Sequence, residues 1–259
     1  MENKQDLPLI LVTNDDGVDA LGIKVLASVA KHFGKVVVVA PARAQSGKSH
    51  AITFSTPLRY RMLKDTPEME VYKVYGTPVD AFKIADREIL KDRRPDLLLS
   101  GINHGSNTSA SLIYSGTMAT VIEGCLNGIP AIGFSLTDNG QTPDFEACRM
   151  YVYSIIYQAL KHRMPADVCL NVNIPAVPKD QIAGVRVTRQ ALNHWHESLE
   201  KRLDPQGHAY FWLTGHLGDE DKGEDTDEWA VKHNFISVQP VQVDMTAYHY
   251  MDTLKTWNF

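Results

Sequence analysis

Cysteine is scarce in this chain of 259 residues, with Cys125, Cys148 and Cys169 as the whole complement. An odd number of thiols makes no fully paired framework, and each lies among apolar or helix-like neighbours, so buried free thiols are expected. Long hydrophobic runs are missing as well. The start, Met1-Glu2-Asn3-Lys4-Gln5-Asp6, is polar, and the apolar run behind it is too short for a signal sequence or a membrane span. The expected compartment is the cytoplasm, with no membrane partner. Basic clusters are also lacking. The net charge is −5, and no long run of Lys and Arg is available to neutralise a phosphate backbone. Duplex nucleic acid is thereby excluded as the main partner. Small anionic substrates stay open, because one local positive site can bind phosphate on an acidic protein. Neither an internal repeat nor a low-complexity tract is present.

The composition that remains is that of a soluble globular protein, 44% hydrophobic and 22% charged, and long enough for a sizeable core. Apolar runs alternate with helical patterns. Leu9–Val12 reads as a buried strand, followed by Leu21, Val25, Leu26, Val29 and Phe33 at helical spacing, with Asp19 as a start and Gly34 as a stop. Val36–Val39, Leu97–Leu99, Ile129–Phe134 and Val168–Ile174 are further strands. Helical patterns follow Thr77-Pro78 and cover Met118–Leu126 and Phe145–Leu160. This alternation predicts an α/β, Rossmann-like three-layer fold with a mostly parallel sheet. From about Pro175 the pattern changes. Strands are expected at Val185–Thr188, Tyr210–Leu213 and Ile236–Val243, with a polar loop from Gly215 to Asp227. We read a single domain over 1–259, with a core over about 1–175 and a β-rich extension over about 176–259 used in assembly. The acidic loop Asp219–Asp227 fails the calcium-loop pattern, since no Gly follows the third ligand position and Ala230 stands where a bidentate Glu belongs. A solvated loop is expected there.

Chemistry concentrates where strands end. After the first strand come Asn14-Asp15-Asp16-Gly17, two adjacent carboxylates that repel unless something positive sits between them. After Val36–Val39 comes Pro41-Ala42-Arg43-Ala44-Gln45-Ser46-Gly47, and after Leu97–Leu99 comes Ser100-Gly101-Ile102-Asn103-His104-Gly105-Ser106-Asn107. In a parallel sheet these loops leave from one edge. Asp15, Asp16, Ser46 and Asn103 then form an all-oxygen set suited to Mg²⁺ or Mn²⁺ rather than zinc. Taken singly, Ser46 and Asn103 read as turn residues and the Asp pair as a cap. Tyr114-Ser115-Gly116-Thr117 opens a helix with Ser115 as N-cap, and its free N–H groups and dipole suit a phosphate. Metal site and anion site together favour metal-assisted phosphate-ester hydrolysis.

Rival motifs fail on particulars. Ala42–Ser49 nearly matches a phosphate-binding loop, but Ala42 replaces its first Gly, and His50-Ala51-Ile52-Thr53-Phe54-Ser55-Thr56-Pro57 follows in place of a helix. No Gly-x-Ser-x-Gly elbow occurs. The Asp pair is spaced i, i+1, not the i, i+2 of a haloacid-dehalogenase-type site.

With these residues assembled, the chain resembles the SurE family, the survival-protein 5′-nucleotidases. The resemblance is carried by Asn14-Asp15-Asp16-Gly17, Val39-Ala40-Pro41 with Ser46-Gly47, Gly76-Thr77-Pro78-Val79-Asp80 and Ser100-Gly101-Ile102-Asn103 with Gly105 and Asn107. It continues through Tyr114-Ser115-Gly116-Thr117, Glu123-Gly124, Gly128-Ile129-Pro130, Asn171–Pro175, Thr188-Arg189, Thr226-Asp227 and Asp244-Met245-Thr246-Ala247. It implies a divalent-metal-dependent phosphatase acting on nucleoside 5′-monophosphates, with 3′-nucleotides and short polyphosphate as further substrates to test. It places metal ligands at Asp15, Asp16, Ser46 and Asn103 and phosphate contacts at Asn107, Ser115, Gly116 and Thr117. It also implies a homodimer or homotetramer built through exchanged C-terminal segments. The chain departs from the family pattern at Gln45, at Ser109 in place of a usual Gly, at Met118-Ala119-Thr120 and at Gln190-Ala191. None of these is a ligand position.

Catalytic work is expected of Asp15, Asp16, Asn107 and Thr117. Two alternatives stay open, a water positioned by the site or direct attack on phosphorus by one of Asp15 and Asp16. His104 reads as a surface histidine in a tight loop, with an acid role towards the leaving group as the alternative. Tyr114 and the region of Trp195 offer aromatic stacking for a base. The contrasting reading, a binding protein without turnover, is disfavoured by the intact ligand set.

Overall fold

Runs of valine and leucine make the inner strands, because β-branched and aliphatic side chains fill a sheet covered on both faces. The structure is a computed structural model that describes residues 7–137, 143–165 and 167–259. In chain order it contains β1 (Leu9–Thr13), α1 (Leu21–Ala30), β2 (Lys35–Pro41), β3 (Tyr60–Thr66), β4 (Met69–Val74), α2 (Pro78–Ile84), β5 (Leu97–His104), α3 (Ser111–Tyr114) and α4 (Gly116–Leu126). There follow β6 (Ala131–Leu136), α5 (Arg149–His162), β7 (Val168–Ile174), β8 (Gly184–Val187), β9 (Trp195–Leu203), β10 (Ala209–Leu217), α6 (Asp227–Lys232), β11 (Phe235–Gln242) and α7 (Tyr248–Lys255).

The main sheet runs β3-β4-β2-β1-β5-β6-β7-β11-β8. Strands β4, β2, β1, β5, β6 and β7 are parallel neighbours, while β3 and β11 enter antiparallel. Alternate residues serve alternate layers. Ile10, Val12, Val36, Val38, Leu97 and Leu99 pack with Ile23, Leu26, Val152 and Ile156 of α1 and α5. Leu9, Leu11, Val37, Val39 and Leu98 pack with Phe82, Met118, Val121 and Cys125 of α2 and α4. This is the expected three-layer α/β arrangement. The strand order reverses beside β1, since β2 lies on one side and β5 on the other. Such a switch point opens a crevice beyond the carboxyl ends of the strands.

Several boundaries differ from the sequence reading. Helix α1 begins at Leu21 with Ala20 as its N-cap and no side-chain cap, so Asp19 does not start it. It ends at Ala30 rather than at Gly34. Gly34 serves the next turn, where a Cβ would lie 1.9 Å from the Pro8 carbonyl oxygen. The expected helix over 145–160 is a short 3₁₀ turn (Phe145–Cys148) running into α5. The acidic segment is only partly solvated, because Asp227 caps nothing and is fully buried. Nothing in the sequence patterns announces β3, β4, β9, α3, α6 or α7. Among the described residues the three cysteines form no disulfide and all are buried, as expected. Strands β8 and β11 extend the main sheet, whereas β9 and β10 form a separate antiparallel ribbon. Among the described residues no helix is long and apolar enough to cross a membrane.

Candidate metal and phosphate site

Beyond the strand ends at the switch point lies a cavity of about 830 Å³. Asp15, Ser46, Asn103, Asn107 and Ser115 line it, with His104, Tyr114 and Trp195. A larger hollow of about 1200 Å³ between α1 and the β3–β4 pair shares no lining residue with it.

Local structure fixes each group. Asn14 donates from its side-chain amide to the Gly17 carbonyl and accepts from the Gly17 N–H, closing the turn that presents Asp15 and Asp16. Gly17 takes a φ of +98°, which suits glycine. The loop bearing Ser46 is tied down on both sides. Gln45 N–H donates to the Asp15 carbonyl at 2.7 Å, and the Ser49 hydroxyl donates to the Ile113 carbonyl at 2.7 Å. No helix follows Lys48, as the failed phosphate-loop motif required. Asn103 donates from its amide nitrogen to the Gly105 carbonyl at 2.7 Å, which sets the amide oxygen on the opposite side. A buried amide network holds the next turn. Asn107 N–H donates to Asn173 Oδ1, Asn107 Nδ2 to the Ser135 hydroxyl, and Asn171 Nδ2 to the Asn107 carbonyl, each at 2.8 Å.

Asp15 is 3% exposed, and its carboxylate accepts from the Thr117 hydroxyl at 2.5 Å. Burial pushes its carboxyl above the usual range, opposed by Thr117 and by the N–H groups of Thr117 and Gly116. Asp16 is half-buried, with its carboxyl raised by burial and then by the charge of Asp15. The His104 N–H donates to Asp16 at 3.2 Å. Among the described residues neither carboxylate forms an ion pair with a lysine or arginine. Two adjacent carboxylates pressed out of water, with no lysine or arginine paired to them among the described residues and with His104 near Asp16, fit a bound divalent cation, and Ser46 and Asn103 add neutral oxygens of the same hard type. The residues present therefore suit Mg²⁺ or Mn²⁺.

Ser115 caps α4 by accepting from the Met118 N–H at 3.1 Å, as its sequence position implies. Gly116 and Thr117 do not line the cavity; they pack behind Asp15 at the same helix start. A Cβ on Gly116 would lie 2.8 Å from the Asp15 Cβ. The ribbon β9–β10 supplies one wall, where Trp195, whose region the sequence singles out, is joined by Glu197, Leu213, Thr214 and Gly215, which it does not. Two of the departures from the family pattern meet each other. The Ser109 hydroxyl donates to the Ala191 and Asn193 carbonyls, and Gln190 donates to the Ser109 carbonyl at 2.9 Å. Ser109 takes a φ of +52°, the left-handed conformation a glycine would adopt freely.

Comparisons with known proteins identify the family. The family model described as "Survival protein SurE" matches residues 10–197. Proteins named 5′-nucleotidase SurE from Flavobacterium johnsoniae and Christiangramia forsetii are 50% and 49% identical, over 98% and 97% of both chains. The crystal structure of the SurE protein from Aquifex aeolicus matches with a TM-score of 0.83 at 38% identity, covering 96% of this chain and 98% of that one. The chain belongs to the SurE survival-protein family.

Proposed function

We propose that this chain is a divalent-metal-dependent 5′-nucleotidase, a phosphoric monoester hydrolase releasing phosphate from nucleoside 5′-monophosphates. One observation carries the reading: Asp15, Ser46 and Asn103 meet Asn107 and the Ser115 cap of α4 around a single cavity at the switch point. Relatives at about half identity over nearly their whole length bear the name 5′-nucleotidase. Asp15, Asp16, Ser46 and Asn103 would hold Mg²⁺ or Mn²⁺, which supplies positive charge against that developing on the phosphoryl group.

The chain's own groups do the rest. Asn107 and Ser115 face the cavity and hold non-bridging oxygens, and the start of α4 adds its positive dipole end. Gly116 and Thr117, expected as phosphate contacts, turn their N–H groups to Asp15 and act on the phosphate through that carboxylate. Thr117 also aims Asp15 and favours its ionised form, by donating a hydrogen bond from its hydroxyl to the carboxylate. Asp15 or Asp16 takes the proton of the attacking water or attacks phosphorus itself. Tyr114 and Trp195 offer ring faces for the base. We place the protein in the cytoplasm, where three buried thiols stay reduced. The assembly we propose is a homodimer or homotetramer joined through C-terminal segments, supported by Met245, Tyr248, Trp257 and Phe259 all lying exposed.

The test is phosphate release from 5′- and 3′-nucleoside monophosphates and short polyphosphate, with Mg²⁺, with Mn²⁺ and with chelator, for wild type and Asp15→Asn. Release from 5′-monophosphates should require metal and fall by about 1000-fold or more in the variant, as for loss of a principal transition-state contact. A folded wild type that turns over no substrate with either metal overturns the reading in favour of a binding protein.

A further inference from the structure

Several histidines of the second half of the chain stand outside the candidate site. His194 directly precedes β9, and His196 sits two residues on, so both project from the same face of the strand. That face is opposite to the one carrying Trp195 and Glu197 towards the cavity. His216 of β10 lies directly across the ladder from His196, and their rings stack at 5.3 Å. Beyond β10 the chain turns back and brings Glu220 to the pair. Glu220 Oε1 lies 2.6 Å from His196 Nε2 and 3.6 Å from His194 Nδ1. One ligand atom from each of His194, His196 and Glu220 falls within 4.8 Å of the others.

Two features make this more than a chance meeting of surface side chains. First, the backbone on either side of Glu220 is anchored to the backbone beside His194. The Gly218 N–H donates to the His194 carbonyl and the Asp221 N–H to the Asn193 side-chain oxygen, each at 2.7 Å. Arg189 then clamps Asp221 and Asp225. The cluster is thus held by main-chain register before any ion arrives, which lowers the cost of ordering its ligands. Second, the spacing is right. Ligands about 2.0–2.1 Å from a tetrahedral zinc stand about 3.3 Å apart; His194 Nδ1 is 3.6 Å from Glu220 Oε1, close to that spacing, and an ion would replace the 2.6 Å hydrogen bond between His196 and Glu220.

We propose that His194, His196 and Glu220 form a second metal site, selective for a borderline divalent transition ion such as Zn²⁺. Two imidazoles and one carboxylate suit zinc, copper or nickel, whereas the oxygen set around Asp15 suits Mg²⁺ or Mn²⁺. The two sites are chemically separate and share no residue. An ion here joins the start of β9 to the loop after β10, and so braces the ribbon whose other face walls the cavity.

The experiment is calorimetric titration of the full, untagged chain with Zn²⁺ under saturating Mg²⁺, and with Co²⁺ followed by its visible d–d absorption. Wild type and Asp15→Asn should bind one equivalent of Zn²⁺ alike, with Co²⁺ giving the intense absorption of a tetrahedral site. His196→Ala and Glu220→Gln, both at exposed positions and each checked for native circular dichroism, should weaken Zn²⁺ by about 10- to 100-fold or more and abolish that absorption. Equal affinity in wild type and both variants overturns the proposal. So does zinc binding that survives in them and disappears in Asp15→Asn.

Discussion

At Gly116 a methyl group is enough to displace Asp15. The added Cβ would meet Asp15 Cβ at 2.8 Å, Asp15 Oδ2 at 2.9 Å and Pro78 Cγ at 3.1 Å. Asp15 is the softest of these, because Pro78 is fixed at the first turn of α2. Gly116→Ala should therefore cost about 1–3 kcal/mol of stability, as overpacking does. It should lower kcat/KM by about 100-fold, because the carboxylate moves by a good fraction of an ångström. Thermal melting beside phosphate-release kinetics checks this, and a variant with wild-type kinetics would show that Asp15 tolerates the shift. The proposed ligand residues were legible in the sequence, since Asp15, Asp16 and Ser46 follow buried strands and Asn103 stands near the carboxyl end of β5, all at one edge of a parallel sheet. What Thr117 does for Asp15 was not legible. Its hydroxyl reads as part of a helix start, and only the packing of α4 over β5 and β6 brings it to the carboxylate that follows β1.

Among the elements, the inner strands and the helices that cover them declare themselves through apolar periodicity. Strands β3 and β9 do not. Both are almost wholly exposed, and Trp195–Leu203 carries charged or polar residues at most positions, so neither alternation nor an apolar run marks it. The joints between elements were equally silent, and Asp227 is the clearest case. Its carboxylate accepts N–H groups from Ser109 at 2.9 Å, Ala191 at 2.9 Å and Glu228 at 2.8 Å, and so pins three segments together. Asp227→Asn turns one accepting oxygen into a donor facing a donor, and should cost about 1–3 kcal/mol in urea unfolding. The pH dependence has a definite sign. Burial raises the Asp227 carboxyl above its ordinary 3.8, so the folded chain holds that proton more tightly than the unfolded chain. Across the window from 3.8 up to the raised value, wild type loses stability from this group as pH rises, and the Asn variant does not. The gap between the two should be widest in acid, shrink through that window and stay constant above it. A gap that widens as pH rises would contradict this account.

The whole molecule completes its cavity and its main sheet before its last residues. Strand β11 ends at Gln242, and every residue lining the cavity precedes that point. Helix α7 follows with no buried residue, although Tyr248, Tyr250 and Met251 are large and apolar, and Met245 and Phe259 are 94% and 96% exposed. A segment of this composition has little reason to be helical alone at so short a length, since isolated helices of this size are marginal in water. Covering by a second copy, as in the assembly proposed above, would supply the missing contacts, and symmetric exchange of an identical element is an economical way to build a closed assembly. The sequence pointed here only through the family resemblance, because the segment has no core of its own against which a periodicity could be read. A chain ending at Val243 should accordingly keep the circular dichroism and metal-dependent kcat of the full chain while its mass by light scattering falls to that of one protomer. If the shortened chain keeps the full-length assembly state, the C-terminal segment is not the joining element. The β9–β10 ribbon, with Leu199, Phe211 and Trp212 exposed, then becomes the surface to cut next.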